Sequence, residues 1–171
     1  MKVLIAGATG ALGVPLVRAL IAGGHEVQGI TRTPGKSSLL TSLGAQPILA
    51  DVMDREGLLR AVNGRQADAV VHVLTALPKN GPMQHRDMYQ TDALRDVGTT
   101  HLLAAAREVG ARKIAVESMH VGYGFGNWGD TVLTEAQPFA PPGRSQELER
   151  HLAGLRLDGA TDFRGDACRV D

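Results

Sequence analysis

Lys2-Val3-Leu4-Ile5-Ala6-Gly7-Ala8-Thr9-Gly10-Ala11-Leu12-Gly13 is the stretch that decides the fold. It begins with a short apolar run of strand length, and a continuous run of that kind suits a strand covered on both faces. Leu12, Leu16 and Leu20 then recur at i, i+4 and i+8, which predicts a helix that opens directly after the glycines and ends at Gly23-Gly24. Pro15 falls in its first turn, where a missing N–H costs little. A strand, a glycine loop and a helix in that order suit a dinucleotide phosphate. Gly7 permits the tight turn, Gly10 lets the backbone approach a pyrophosphate, and Gly13 lets the helix pack closely on the sheet. Thr9, Ala11 and Leu12 belong to the same candidate loop. Its free N–H groups, at the positive end of the helix dipole, would hold the phosphate charge.

Outward from this loop the same alternation repeats. Strands are predicted at Glu26–Thr31, 47–50, 69–74 and 113–117. Between them lie helical patterns over 37–43, after the capping residue Asp54 with Leu58, Leu59 and Val62, and over a longer stretch with Leu94, Val97, Leu102, Ala105 and Val109 facing inward. This order predicts an α/β fold: a doubly wound, mostly parallel Rossmann sheet with helices on both faces. Residues 1–155 are expected to form one NAD(P)-binding domain and 156–171 an irregular tail. Residues 122–143 are rich in glycine and proline and read as a long loop, and 145–155 read as helical.

Composition narrows the class. The chain has 171 residues, with 18 Lys plus Arg against 18 Asp plus Glu, so charge gives no reason to expect nucleic acid. Aromatic residues are 4% of the chain, too few for base-stacking platforms. The single cysteine, Cys168, allows no internal disulfide and fits a reducing, cytoplasmic setting. No histidine shares a metal-ligand spacing with another ligand, so no metal is expected, and no apolar run is long enough to span a membrane.

Gly7-Ala8-Thr9-Gly10-x-x-Gly13 at the N-terminus resembles the short-chain dehydrogenase/reductase superfamily, in particular its extended and atypical branch with the NAD-dependent epimerase/dehydratase family. Ala50-Asp51-Val52 looks like the family's adenine contact. Val71-His72-Val73-Leu74-Thr75-Ala76 is similar to its fourth strand, which puts Leu74, Thr75 and Ala76 beside the nicotinamide half. Gly98-Thr99 with Leu102 to Ala106 resembles its long fourth helix, and Glu117-Ser118 with Tyr123-Gly124 resembles the segment that bears its active-site serine. The resemblance covers about residues 1 to 155 and implies an NAD(P)-dependent oxidoreductase or epimerase acting on a small-molecule substrate. His72, in so apolar a strand, reads as a core histidine bonded to backbone.

The second strand ends in Ile30-Thr31-Arg32-Thr33, where a dinucleotide's ribose 2′ position is usually read. Arg32 would pair with a 2′-phosphate, which places NADP ahead of NAD as the cofactor. The superfamily's proton transfer needs a tyrosine with a lysine four residues later. Here Tyr89 and Tyr123 are followed at that spacing by Ala93 and Asn127. Ser118 is the remaining catalytic candidate, with His120, Tyr123 and Glu117 as substitute acids or bases. Against the extended relatives the chain reads as truncated at its C-terminus. A non-catalytic NADP-binding sensor or remnant domain is therefore the alternative, and a homodimer could complete the substrate pocket.

Overall fold

The computed structural model describes residues 1–78 and 85–117, positions 130, 132 and 134, and the pair 168–169. Five parallel strands form the sheet: β1 (Lys2–Ala6), β2 (Glu26–Thr31), β3 (Gln46–Leu49), β4 (Ala69–His72) and β5 (Lys113–Val116). A two-residue strand β6 (Cys168–Arg169) adds to β5 in antiparallel sense, through Lys113↔Arg169 and Ile114↔Cys168. The spatial order is β3-β2-β1-β4-β5-β6. Chain direction across the sheet reverses between β1 and β4, and a crevice opens beyond the strand ends at such a switch point.

Helices α1 (Gly13–Ala22) and α2 (Ser37–Ser42) cover one face, packing Val17 and Leu40 onto Val3, Ile5 and Val27. Helices α3 (Arg55–Val62) and α5 (Thr99–Glu108) cover the other, packing Leu58, Val62, Leu102 and Ala105 onto Leu4, Val70 and Ile114. A fifth helix, α4 (Tyr89–Ala93), runs into α5 through a π turn at Leu94–Gly98. Asp54 caps α3 as its side chain suggested, accepting from Gly57 N–H at 3.0 Å.

Two inward faces differ from the leucine pattern. In α1 the buried residues are Gly13 and Val17, while Leu12 is 55% exposed. Gly13 is the point of closest approach: a Cβ there would lie 2.0 Å from the Gly7 carbonyl oxygen, so no larger residue can centre that face. In the α4–α5 segment Val97 is exposed, and the inward positions before Leu102 are Thr91, Arg95, Gly98 and Thr99. Apolar periodicity skips that stretch because its inward side chains are polar or absent.

Strand β3 is an edge of the sheet and contains Pro47. Ala50 N–H points to Thr31 O on β2 at 3.0 Å. By the two-residue alternation of a strand, the nitrogen of Pro47 points away from the sheet.

Candidate cofactor cleft

The loop after β1 is built by backbone geometry. Gly7 has φ +93°, and a Cβ on it would meet Val73 O at 2.6 Å, so the turn crosses the β4 strand end with no room for a side chain. Gly10 N–H closes the turn on Gly7 O at 2.9 Å, and Val14 N–H joins Gly10 O at 3.1 Å to start the helix. A Cβ on Gly10 would touch only that Gly7 oxygen, at 3.3 Å, and otherwise enters open space. The Ala11, Leu12 and Gly13 amides, which precede the Val14–Gly10 bond, stand at the positive end of the α1 dipole.

This loop forms the centre of a cleft of about 400 Å³. Thr9, Gly10, Ala11 and Leu12 line it on the α1 side, joined by Gly7. Toward β2 and β3 it is lined by Arg32, Thr33, Lys36, Asp51 and Val52. Toward β4 and β5 it is lined by Leu74, Thr75, Ala76, Leu77, Leu94 and Glu117. The structure thus gathers into one cleft every cofactor residue expected from the sequence except Gly13, which is buried beneath it. Ser118, His120 and Tyr123, the expected helix at 145–155 and most of the 122–143 loop lie outside the described residues.

The walls are fixed by hydrogen bonds from neighbouring elements. Asp51 accepts from Met53 N–H at 2.9 Å, and His101 on α5 donates from Nδ1 to Val52 O at 2.8 Å, holding the β3 end in place. Thr31 is buried and its hydroxyl accepts from Thr33 N–H at 3.2 Å, shaping the turn that presents Arg32. After β4, Ala76 N–H donates to the buried Thr91 hydroxyl of α4 at 3.0 Å.

His72 ties three elements together. Its Nδ1 accepts from Leu74 N–H at 3.1 Å and its Nε2 donates to Leu94 O, in the π turn, at 3.0 Å. Those partners fix a neutral imidazole. Burial, the largest effect, lowers its pKa from 6.5 against the opposing upward push of the Leu94 bond, and the nearby Arg95 charge adds a smaller lowering. It is the backbone-bonded core histidine anticipated above.

Residues that sequence inspection passed over are Lys36, Leu77 and Leu94. Lys36 carries a usable signal, since it is a second cation four residues after Arg32 in the loop that follows β2. Leu94 carries none, because its place in the wall depends on the π turn.

The NAD(P)H-binding family profile matches residues 7–153. The chain belongs to this NAD(P)H-binding family. Its fold is that of the short-chain dehydrogenase/reductase superfamily, as the glycine loop suggested. The NAD(P)H-binding chain is 38% identical over 169 residues to the 3-diazoavenalumate denitrifying reductase of a Streptomyces species, covering 93% of this chain and 54% of that protein. It is 25% identical to a short-chain dehydrogenase/reductase superfamily protein from Agrobacterium tumefaciens with bound NAD, at a TM-score of 0.65, covering 91% of this chain and 43% of that one. It shares its fold with the UDP-Glc/GlcNAc 4-epimerase of Campylobacter jejuni, at 21% identity and a TM-score of 0.69, over 90% of this chain and 46% of that chain. The NAD(P)H-binding chain therefore spans about half the length of these proteins. Among the described residues, no helix is long and apolar enough to cross a membrane.

Proposed function

We propose that the cleft binds NADP in preference to NAD and that the chain is the cofactor-binding part of a reductase-type oxidoreductase. The observation that carries this reading is the single cleft joining the glycine loop to Arg32 and Lys36 at one end and to the β4 and β5 ends at the other. The residues present fit a dinucleotide. Gly7 and Gly13 can carry no side chain without a clash, and the loop glycine between them, Gly10, whose Cβ would touch only the Gly7 oxygen, faces the cleft where a pyrophosphate would lie. The backbone N–H groups of Thr9, Ala11, Leu12 and Gly13 would hold the two phosphates, since the Gly10 N–H closes the turn on Gly7 O. Arg32 and Lys36, both exposed at the rim, would hold the 2′-phosphate. Asp51 and Val52 would border the adenine, and Leu74 to Ala76 the nicotinamide half.

A nicotinamide dinucleotide supplies hydride transfer when bound. The chain's contribution would be to orient the ring against the β4 strand end, with Ser118 offering a hydroxyl to the reacting oxygen of a small-molecule substrate. The name of the Streptomyces relative favours a reduction. A non-catalytic NADP sensor is the second reading, favoured by the missing Tyr/Lys pair. We place the protein in the cytoplasm, as its lone cysteine suggests, with a homodimer as the arrangement that would complete a substrate pocket. Calorimetric titration of the full chain with NADPH and NADH tests the core of this reading. Binding with NADPH the tighter ligand is expected; equal affinity for both removes the NADP preference, and no binding of either overturns the reading.

A further inference from the structure

The inner end of the cleft carries a charge cluster that phosphate binding does not require. Arg95, in the π turn, is 2% exposed, and its Nη2 lies 3.9 Å from Glu117 Oε1. Burial lowers the pKa of its guanidinium, while the Glu117 and Asp92 carboxylates both act in the opposite direction. His72, close by, is held neutral by the bonds described above. The member that reaches the cleft wall is Glu117, whereas Arg95 stands behind it. Glu117 Oε2 is buried and accepts no hydrogen bond among the described residues. Among those residues, no other carboxylate lines the β4–β5 half of the cleft.

Glu117 follows β5 directly, with its N–H donating to His72 O at 2.9 Å. In this sheet order a dinucleotide lies across the β1–β4 switch point, so its second nucleoside rests over β4 and β5. The oxidised nicotinamide ring is positively charged and the reduced ring is neutral. A carboxylate at this end therefore discriminates between the two redox forms, although it makes no distinction between NAD and NADP. We propose that Glu117 biases the cleft toward the oxidised dinucleotide over the reduced one. The inference rests on the cofactor reading above.

The test is equilibrium binding, and it needs no turnover. The full chain, Glu117→Gln and the double variant Arg95→Met/Glu117→Gln are each titrated with NADP+, NADPH and ADP-ribose, the last lacking the nicotinamide ring. The double variant removes the Arg95–Glu117 pair together while Asp92 stays in place, so no guanidinium is left without its Glu117 partner if the single variant folds badly. Glu117→Gln is expected to raise the NADP+ Kd roughly threefold to tenfold, the scale of one partly neutralised charge acting across several ångströms of protein. NADPH and ADP-ribose should change less than twofold. The double variant should shift the NADP+ to NADPH ratio in the same direction and by less, because a cation is lost with the anion. Equal weakening of NADP+ and NADPH, or no change in either, overturns the proposal while leaving the cofactor reading intact. Failure of the unmodified chain to bind any of the three ligands overturns the cofactor reading and this inference together.

Discussion

At the residue scale, Gly10 and Arg32 separate binding from folding. Gly10 has an ordinary φ and open space beyond its missing Cβ, so a side chain costs the fold little and enters the cleft at the proposed phosphate position. Gly10→Val is expected to abolish dinucleotide binding while keeping the parent's far-ultraviolet dichroism and melting temperature within a few degrees; unchanged NADPH affinity would move the phosphate site elsewhere. Gly13 offers the contrast, because any Cβ there meets backbone at 2.0 Å. Arg32→Ala should weaken NADPH binding about tenfold and NADH binding far less. This corresponds to roughly 1.5 kcal/mol, the low end for a charge-assisted hydrogen bond, because Arg32 stays in water. Comparable losses for both ligands in the same titration would remove Arg32 from the 2′ position. The places of Gly10 and Arg32 in the cleft were legible in the sequence because a glycine at a turn and a cation at a strand end are marked by residue type alone. Glu117 was legible only as a candidate, since its pairing with Arg95 requires β5 and the π turn to meet.

At the scale of elements, the π turn and β4 are joined by His72, and this junction makes stability depend on pH. The pKa of His72 is lowered in the folded protein from 6.5. Below that value the unfolded chain takes up a proton that the folded chain refuses, so this site's contribution falls as the pH drops through 6.5 toward the folded value. Above 6.5 both states are neutral there and the dependence vanishes. His72→Gln keeps a donor for Leu94 but cannot titrate, so it should be less stable than the parent at pH 8, with the gap narrowing toward pH 5. Thermal melts across that range decide it: a constant gap would mean that His72 does not bear the linkage. The five parallel strands were legible to within one or two residues, because parallel strands buried on both faces read as apolar runs, whereas the two-residue β6 lies in the stretch expected to be an irregular tail. The inward face of the α4–α5 segment was not. Its contacts are made by Thr91, Arg95 and Thr99, whose hydroxyls and charge are satisfied by partners distant in sequence or by the helix's own carbonyls, as when Thr99 donates to Arg95 O.

For the whole molecule, the sheet order and the position of the cleft follow from one βαβ unit and its repetition, which is why residues 2–13 foretold so much. Catalysis is less determined. No tyrosine in the 171 residues has a lysine four positions later, so the chain should bind dinucleotide yet oxidise NADPH slowly with aldehydes, ketones, quinones or sugar nucleotides. Cofactor absorbance over such a panel measures this, and robust turnover lost in Ser118→Ala would establish a competent enzyme with another acid. Pro47 bears on a different property of the molecule. An exposed sheet edge invites a strand from another copy, and Leu49 on β3 is 55% exposed, an apolar invitation beside open backbone. With its ring nitrogen turned outward, Pro47 withdraws a donor from the middle of a four-residue edge, so an incoming chain would find its ladder interrupted. The same residue that leaves the β2–β3 pairing undisturbed thus guards the concentrated protein against strand-by-strand aggregation.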